Sequence, residues 1–195
     1  MAYVEKEIKV KAADPQALLD YLEQHGGKLL NSHIEKTIRL DTINGDLEKR
    51  GVFLRVRSGS SNTITLKEKI ADNKNTKDVR ARKETEFKIE DVDAMSYILH
   101  RLGFDAPRIM EKYRINIAYK GAMLSIDELF FGTYLEIEGS EQKIDSIAEE
   151  LGFNHENRIV VTYWDILDEY NEKNRTNKKD ILFPEGYRIK LAELR

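Results

Sequence analysis

Tyr3-Val4-Glu5-Lys6-Glu7-Ile8-Lys9-Val10-Lys11 alternates at the strand period of two, with Val4, Ile8 and Val10 on one face and Glu5, Glu7, Lys9 and Lys11 on the other. One strand with a mixed-charge face means little, because antiparallel sheets often turn a polar face to water. Here the pattern recurs. Arg80, Arg82, Glu84, Glu86 and Lys88 alternate with Ala81, Lys83, Thr85, Phe87 and Ile89, and Tyr134-Leu135-Glu136-Ile137-Glu138 supplies a third Glu-x-Glu. A chain that repeats paired carboxylates with cations beside them builds one charged surface from several strands.

The neighbouring segments extend that surface. Val52, Leu54 and Val56 oppose Phe53, Arg55 and Arg57; the turn Ser58 to Asn62 then folds the chain back into a strand where Thr63, Thr65, Lys67 and Lys69 oppose Ile64 and Leu66. From Ile109 to Tyr119, Met110, Lys112, Arg114 and Asn116 share a side, and Lys120-Gly121 leads into Met123, Ser125 and Asp127 opposite Leu124 and Ile126. A further strand spans His33 to Leu40, with Glu35, Thr37, Arg39 and Asp41 on its polar side and Lys36 interrupting the apolar one. Four helices are predicted. Asp14-Pro15 starts the first and Asp91 the second, with stripes Ala17, Leu18, Tyr21, Leu22 and Val92, Met95, Ile98, Leu99, Leu102. The third runs from Glu141 to Leu151 and the fourth begins near Thr162. Asp41 to Asp46 and Ala71 to Asp78 read as loops.

At 195 residues and 41% hydrophobic content the chain has room for one substantial domain, residues 1–170, followed by an extension, 171–195, of unassigned role. Glu5 to Asp41 and Glu84 to Ile117 form an imperfect repeat: Glu-x-Glu-x-Lys, helix, glycine, then a strand containing Glu35-Lys36 or Glu111-Lys112. A formal net charge of −3 argues against nucleic acid as a bulk electrostatic partner. The absence of cysteine removes disulfides, thiolate nucleophiles and zinc-thiolate sites, and points to a cytoplasmic setting. No apolar run has the length of a signal peptide or a bilayer span, so a membrane is not an expected partner. A homodimer is admitted.

The apolar strand faces need the helices outside the sheet, which leaves the charged faces either open to water or rolled inward. The expected fold is α+β, a closed eight-stranded antiparallel β-barrel with helices packed outside. Eleven cations (Lys9, Lys11, Arg55, Arg57, Lys67, Lys69, Arg80, Arg82, Lys88, Lys112, Arg114) meet seven anions (Glu5, Glu7, Glu84, Glu86, Asp127, Glu136, Glu138) on these faces. Such a channel stays wet, since desolvating unpaired ions costs several kcal/mol each, and its excess positive charge suits a polyanion. Carboxylates two residues apart on a strand lie about 7 Å apart, close enough to share a metal ion. All-oxygen ligands select Mg2+ or Mn2+, while arginine and lysine bind phosphate oxygens. The scattered His25, His33, His100 and His155 fit no metal spacing, and Tyr163 and Trp164 read as helix-to-sheet packing.

In order along the chain, Glu5-x-Glu7-x-Lys9, Arg55-x-Arg57, Lys67, Lys112-x-Arg114, Asp127 and Glu136-x-Glu138 resemble the CYTH superfamily, the triphosphate tunnel metalloenzymes, over residues 3–170. The resemblance implies an eight-stranded antiparallel tunnel, a triphosphate substrate and a divalent metal. It places Glu5, Glu7, Asp127, Glu136 and Glu138 on the metal side and Lys9, Arg55, Arg57, Lys67, Lys112 and Arg114 on the phosphate side; Lys69 and Arg82 are further phosphate candidates. Asp127 to Glu138, and Thr162-Tyr163 before an apolar helix, are most similar to the class IV adenylyl cyclase branch, which converts ATP to cyclic AMP and pyrophosphate. The chain departs from it by lacking the His-Phe pair of some cyclases and by its last 25 residues. The alternatives are a triphosphatase acting on inorganic tripolyphosphate, a nucleoside triphosphate or thiamine triphosphate, and a module that binds polyphosphate or nucleotide without turnover.

Overall fold

The computed structural model describes residues 2–70 and 79–194; the loop expected from Ala71 to Asp78 lies outside them. Eight strands, β1 (Ala2–Lys11), β2 (Lys28–Leu40), β3 (Val52–Ser58), β4 (Thr63–Lys69), β5 (Arg80–Lys88), β6 (Arg108–Tyr119), β7 (Ala122–Leu129) and β8 (Gly132–Glu138), pair antiparallel in the ring order β1-β5-β4-β3-β2-β6-β7-β8, and β8 returns to β1. Helices α1 (Pro15–Gln24), α3 (Val92–Arg101), α4 (Glu141–Glu150) and α5 (Tyr163–Asn174) accompany them, with the short α2 (Asp46–Lys49) and α6 (Lys190–Glu193). The architecture is α+β, as expected, and the sheet closes on itself.

The helices begin where side chains can satisfy the free amides of a first turn. Asp14 accepts from Ala17 N at 3.0 Å, Asp91 from Ala94 N at 2.9 Å, and Thr162 and Asp165 form a reciprocal capping box at α5. Their apolar stripes cover two sides of the ring. Leu19 and Leu22 of α1 and Ile144, Ile147 and Ala148 of α4 pack on Ile8, Val10, Ile115, Ile117, Leu124, Ile126, Leu135 and Ile137. Leu99 of α3 joins Leu40, Leu47, Leu54 and Val56 on the other side. Of the stripe predicted for α3, Ile98 and Leu102 stay exposed, because the helix rests on β3 by one edge.

The sequence repeat corresponds to a local dyad. In the β2·β6 ladder Glu35 faces Lys112 and Lys36 faces Glu111, so the equivalent dipeptides of the two halves pair with each other. The structure departs from the predicted elements at three places. β2 starts five residues early, at Lys28, with a bulge between Leu29 and Asn31 that breaks the two-residue alternation and so hides the strand from a periodicity reading. The loop after β2 turns into α2: the Asp41 carboxylate accepts from Leu47 N and Glu48 N, and Gly45 takes the left-handed conformation at φ +69°. The segment after α5 is docked onto the barrel. β7 leaves the β6 ladder beyond Glu128–Tyr113, and Ile181 takes the vacated edge in a parallel bridge to Met110, with Ile181 N donating to Ile109 O at 2.9 Å and Glu111 N to Ile181 O at 2.7 Å. Among the described residues no helix is long and apolar enough to cross a membrane.

Candidate active site

With the apolar faces covered by helices, strand alternation turns the charged faces into the lumen. Glu5, Glu7 and Lys9 of β1, Arg55 and Arg57 of β3, Lys67 of β4, Lys112 and Arg114 of β6, and Glu136 and Glu138 of β8 line one cavity of about 920 Å³ of atom-free space, its mouth included. Three predicted residues are not on its wall. Asp127 is fully buried behind it, and Lys69 and Arg82, register partners on β4 and β5, do not line it. Sequence reasoning had left out Glu35, the lumenal β2 carboxylate whose polar-side alternation is visible but whose strand is blurred by Lys36.

The lumen is ordered by ion pairs. Arg114 grips Asp127 with two bonds of 2.6 Å and reaches Glu136 at 2.5 Å; Lys112 bridges Asp127 at 3.0 Å and Glu35 at 3.3 Å. Arg57 contacts Glu35 at 3.5 Å and Glu86 at 3.2 Å, and Lys67 contacts Glu5 at 2.6 Å and also Glu84. Burial would raise the Glu35 and Glu136 carboxyls, but the surrounding cations, chiefly Lys112 and Arg114, outweigh it and hold both well below the usual carboxylate range. Glu5 moves the other way: burial and its hydrogen bond with Glu84 push it up.

Charge is unevenly distributed. Glu138 has no ion pair among the described residues, and it sits directly across the strand pair from Glu7. Burial first, then the charges of Glu5 and Glu7, push its carboxyl up to about 7. Arg55 in turn has no carboxylate partner among the described residues; its Nε donates to Thr65 Oγ1 at 3.3 Å. One carboxylate, Glu138, and one guanidinium, Arg55, therefore face the same water-accessible space without an ion-pair partner among the described residues.

The start of α5 stoppers one end. Tyr163 and Trp164 are buried among Phe53, Met110, Leu129 and Tyr134. Their packing matches the sequence reading, but Tyr163 does more: its hydroxyl donates to Asp127 Oδ2 at 3.0 Å, and Lys9 Nζ lies 4.1 Å from its ring centroid while also donating to Val161 O at 3.3 Å. The signal for this was the capping box that pins the helix start immediately before Tyr163.

Donor chemistry and charge suit a hard divalent cation at the acidic corner, where burial and the charges of Glu5 and Glu7 raise Glu138, which has no ion-pair partner among the described residues. Among the described residues no three acidic or histidine side chains already stand close enough to hold an ion, so binding would require these carboxylates to turn inward.

An eight-stranded ring with this ionic lumen defines a class. A CYTH domain model matches residues 4–163, and the chain belongs to that family. A Methanocaldococcus jannaschii protein provisionally named adenylate cyclase is 31% identical over 153 residues, covering 76% of this chain and 85% of that protein. Among solved structures, a Vibrio parahaemolyticus protein provisionally named adenylate cyclase superposes with a TM-score of 0.74 at 17% identity, over 86% of this chain and 99% of that one. A Hippeastrum protein, provisionally named an adenylyl cyclase and described as having a dominant triphosphatase activity, gives 0.55 at 17% identity over 91% and 98%. These two structural likenesses concern the fold.

Proposed function

We propose that this protein is a divalent-metal-dependent enzyme acting on a triphosphate held in the lumen, with adenylyl cyclase-like conversion of ATP to cyclic AMP and pyrophosphate as the leading reaction. The observation that carries the reading is the charge separation inside one cavity: among the described residues Glu138, pressed against the charges of Glu5 and Glu7, has no ion-pair partner while Arg55 lacks a carboxylate. A polyphosphate with a divalent cation supplies both missing partners at once. The provisional name of the M. jannaschii relative supports the cyclase choice.

In this reading Arg55, Arg57, Lys67, Lys112 and Arg114 hold phosphate oxygens, while Lys69 and Arg82, which do not line the cavity, take no part. Lys9 holds the stoppered end by its bonds to Glu136 and the Val161 carbonyl. Glu5, Glu7 and Glu138, with Glu136 beside them, would hold Mg2+ or Mn2+; when bound, the ion supplies positive charge to the phosphate oxygens. Asp127 fits a positioning role better than a ligand role, because its oxygens already receive Lys112, Arg114 and Tyr163. In a cyclase the ribose 3′-oxygen attacks the α-phosphorus, forming a P–O bond as the bond to the pyrophosphate oxygen breaks, and pyrophosphate leaves. In a triphosphatase water attacks the terminal phosphorus of the same bound chain, the bond from that phosphorus to the bridging oxygen breaks, and orthophosphate and the shortened diphosphate chain leave.

Purified protein incubated with ATP, and separately with inorganic tripolyphosphate, under Mg2+ or Mn2+ tests this. Cyclic AMP with equimolar pyrophosphate is the expected product from ATP. Orthophosphate from either substrate would replace the cyclase assignment with a triphosphatase one, and binding without product under every metal would remove the enzyme reading.

A further inference from the structure

The lumen has a second mouth opposite the α5 stopper in composition as well as in place. Arg57, Arg114, Met123, Ser125 and Glu138 line both the central cavity and this outer pocket, so the two are continuous. Beyond those shared residues the chemistry changes. Asn31 and His33 on β2, Ser60 and Ser61 in the β3–β4 turn, and Asn116 on β6 add uncharged donors and acceptors, and the one further charged group, the buried Glu35, is already paired with Lys112 and Arg57. Ser125 Oγ donates to Asn116 Oδ1 at 2.8 Å and Asn116 Nδ2 to Asn31 Oδ1 at 2.9 Å, which fixes a line of neutral polar groups running outward from the lumen.

His33 is the distinctive member. Its Nδ1 is buried with no hydrogen-bond partner among the described residues, an arrangement that costs stability unless something else supplies the partner. The imidazole lies across Gly59, where an added Cβ would come within 2.9 Å of Cδ2 and 3.0 Å of Nε2. Burial lowers its pKa, against the opposing pull of Glu35, so the ring is neutral at pH 7 and offers one donor and one acceptor. Neutral pairs of this kind match sugar hydroxyls and heterocycle edges, whereas a phosphate is met by cations.

We propose that this mouth, through Asn31, His33, Ser60, Ser61 and Asn116, binds the nucleoside end of a nucleoside triphosphate whose phosphates occupy the lumen. The inference rests on the triphosphate reading of the lumen. Among the described residues Tyr163 and Trp164 fill the other end, so a substrate longer than its phosphates extends toward this mouth.

Calorimetric titration of ATP and of inorganic tripolyphosphate, each with Mn2+, into the wild type and the Asn31→Ala/His33→Ala double variant separates the two readings. The double variant should weaken ATP about tenfold or more relative to tripolyphosphate, in line with two lost neutral hydrogen bonds. Gly59→Ala, whose methyl displaces the imidazole, should shift the ratio in the same direction without removing any polar group, and His33→Gln should restore part of it. An unchanged ratio in foldable variants, or a wild type that binds tripolyphosphate but not ATP, overturns the nucleoside assignment and leaves the lumen reading standing. A wild type that binds neither overturns both.

Discussion

At the residue scale the protein is governed by how each lumenal charge is compensated. Glu138 has a folded pKa of about 7 against an ordinary value of 4.5, so the folded chain keeps a proton that the unfolded chain has already lost. Its favourable contribution is complete below pH 4.5 and disappears as pH rises through 7. Glu5 shifts in the same direction. Metal-free protein should therefore lose melting temperature between about pH 5 and pH 8, and Glu138→Gln should flatten that profile and abolish any stabilisation by Mn2+; a thermal-melt series at both metal conditions checks it. Glu35 and Glu136, held low by cations, act in a separate window, losing their contribution as pH falls below the usual carboxylate range. Asp127 presents the opposite case. Asp127→Asn leaves Lys112 and Arg114 facing a neutral amide in a buried site, a loss of about 3 kcal/mol by analogy with broken buried pairs, measurable as a lower denaturant midpoint without metal. If Asp127 served as a metal ligand instead, the variant would melt normally and lose only the response to Mn2+.

At the scale of elements, the segment after α5 holds the outside of the stoppered end. Ile181 continues the β6 edge, and the buried Glu128 accepts from Tyr187 Oη at 3.0 Å, Lys190 N at 2.9 Å and Leu191 N at 2.7 Å. Leu191 is itself buried in the α1/α4 core. Glu128→Gln should cost about 1–3 kcal/mol, as expected when bonds to a buried charged acceptor are weakened. Hydrogen exchange of residues 187–194 should speed up while the β6–β7 ladder stays protected. None of this docking was legible in the sequence: the polar run after Asn171 has no periodicity, and a single parallel bridge leaves no pattern to read. α1 and α3, by contrast, were legible to their caps, since Asp14 and Asp91 act on amides three residues away in the same chain.

At the scale of the molecule, closing eight strands puts into one space charges that are far apart in sequence, such as Glu7 and Glu138, or Glu35 and Lys112. Ligands that bring missing counter-charge should stabilise the whole barrel. Inorganic tripolyphosphate with Mn2+ at about 100 times its dissociation constant should add about 2.7 kcal/mol, seen as a concentration-dependent rise in melting temperature that is larger at low salt. An unaltered melting temperature would mean that the lumen does not take this anion.

The sequence by itself determined the strands, their two faces, most of the helices and the identity of most lumenal charges, because alternation and capping act between residues two to four apart. Only the tertiary structure decided the ring order, the withdrawal of Asp127 behind the wall, the pairing of Glu35, the stopper made by Tyr163 and the neutral second mouth. Each of these depends on which strand lies beside which and on how deeply a group is buried, and neither quantity exists until the chain has closed on itself.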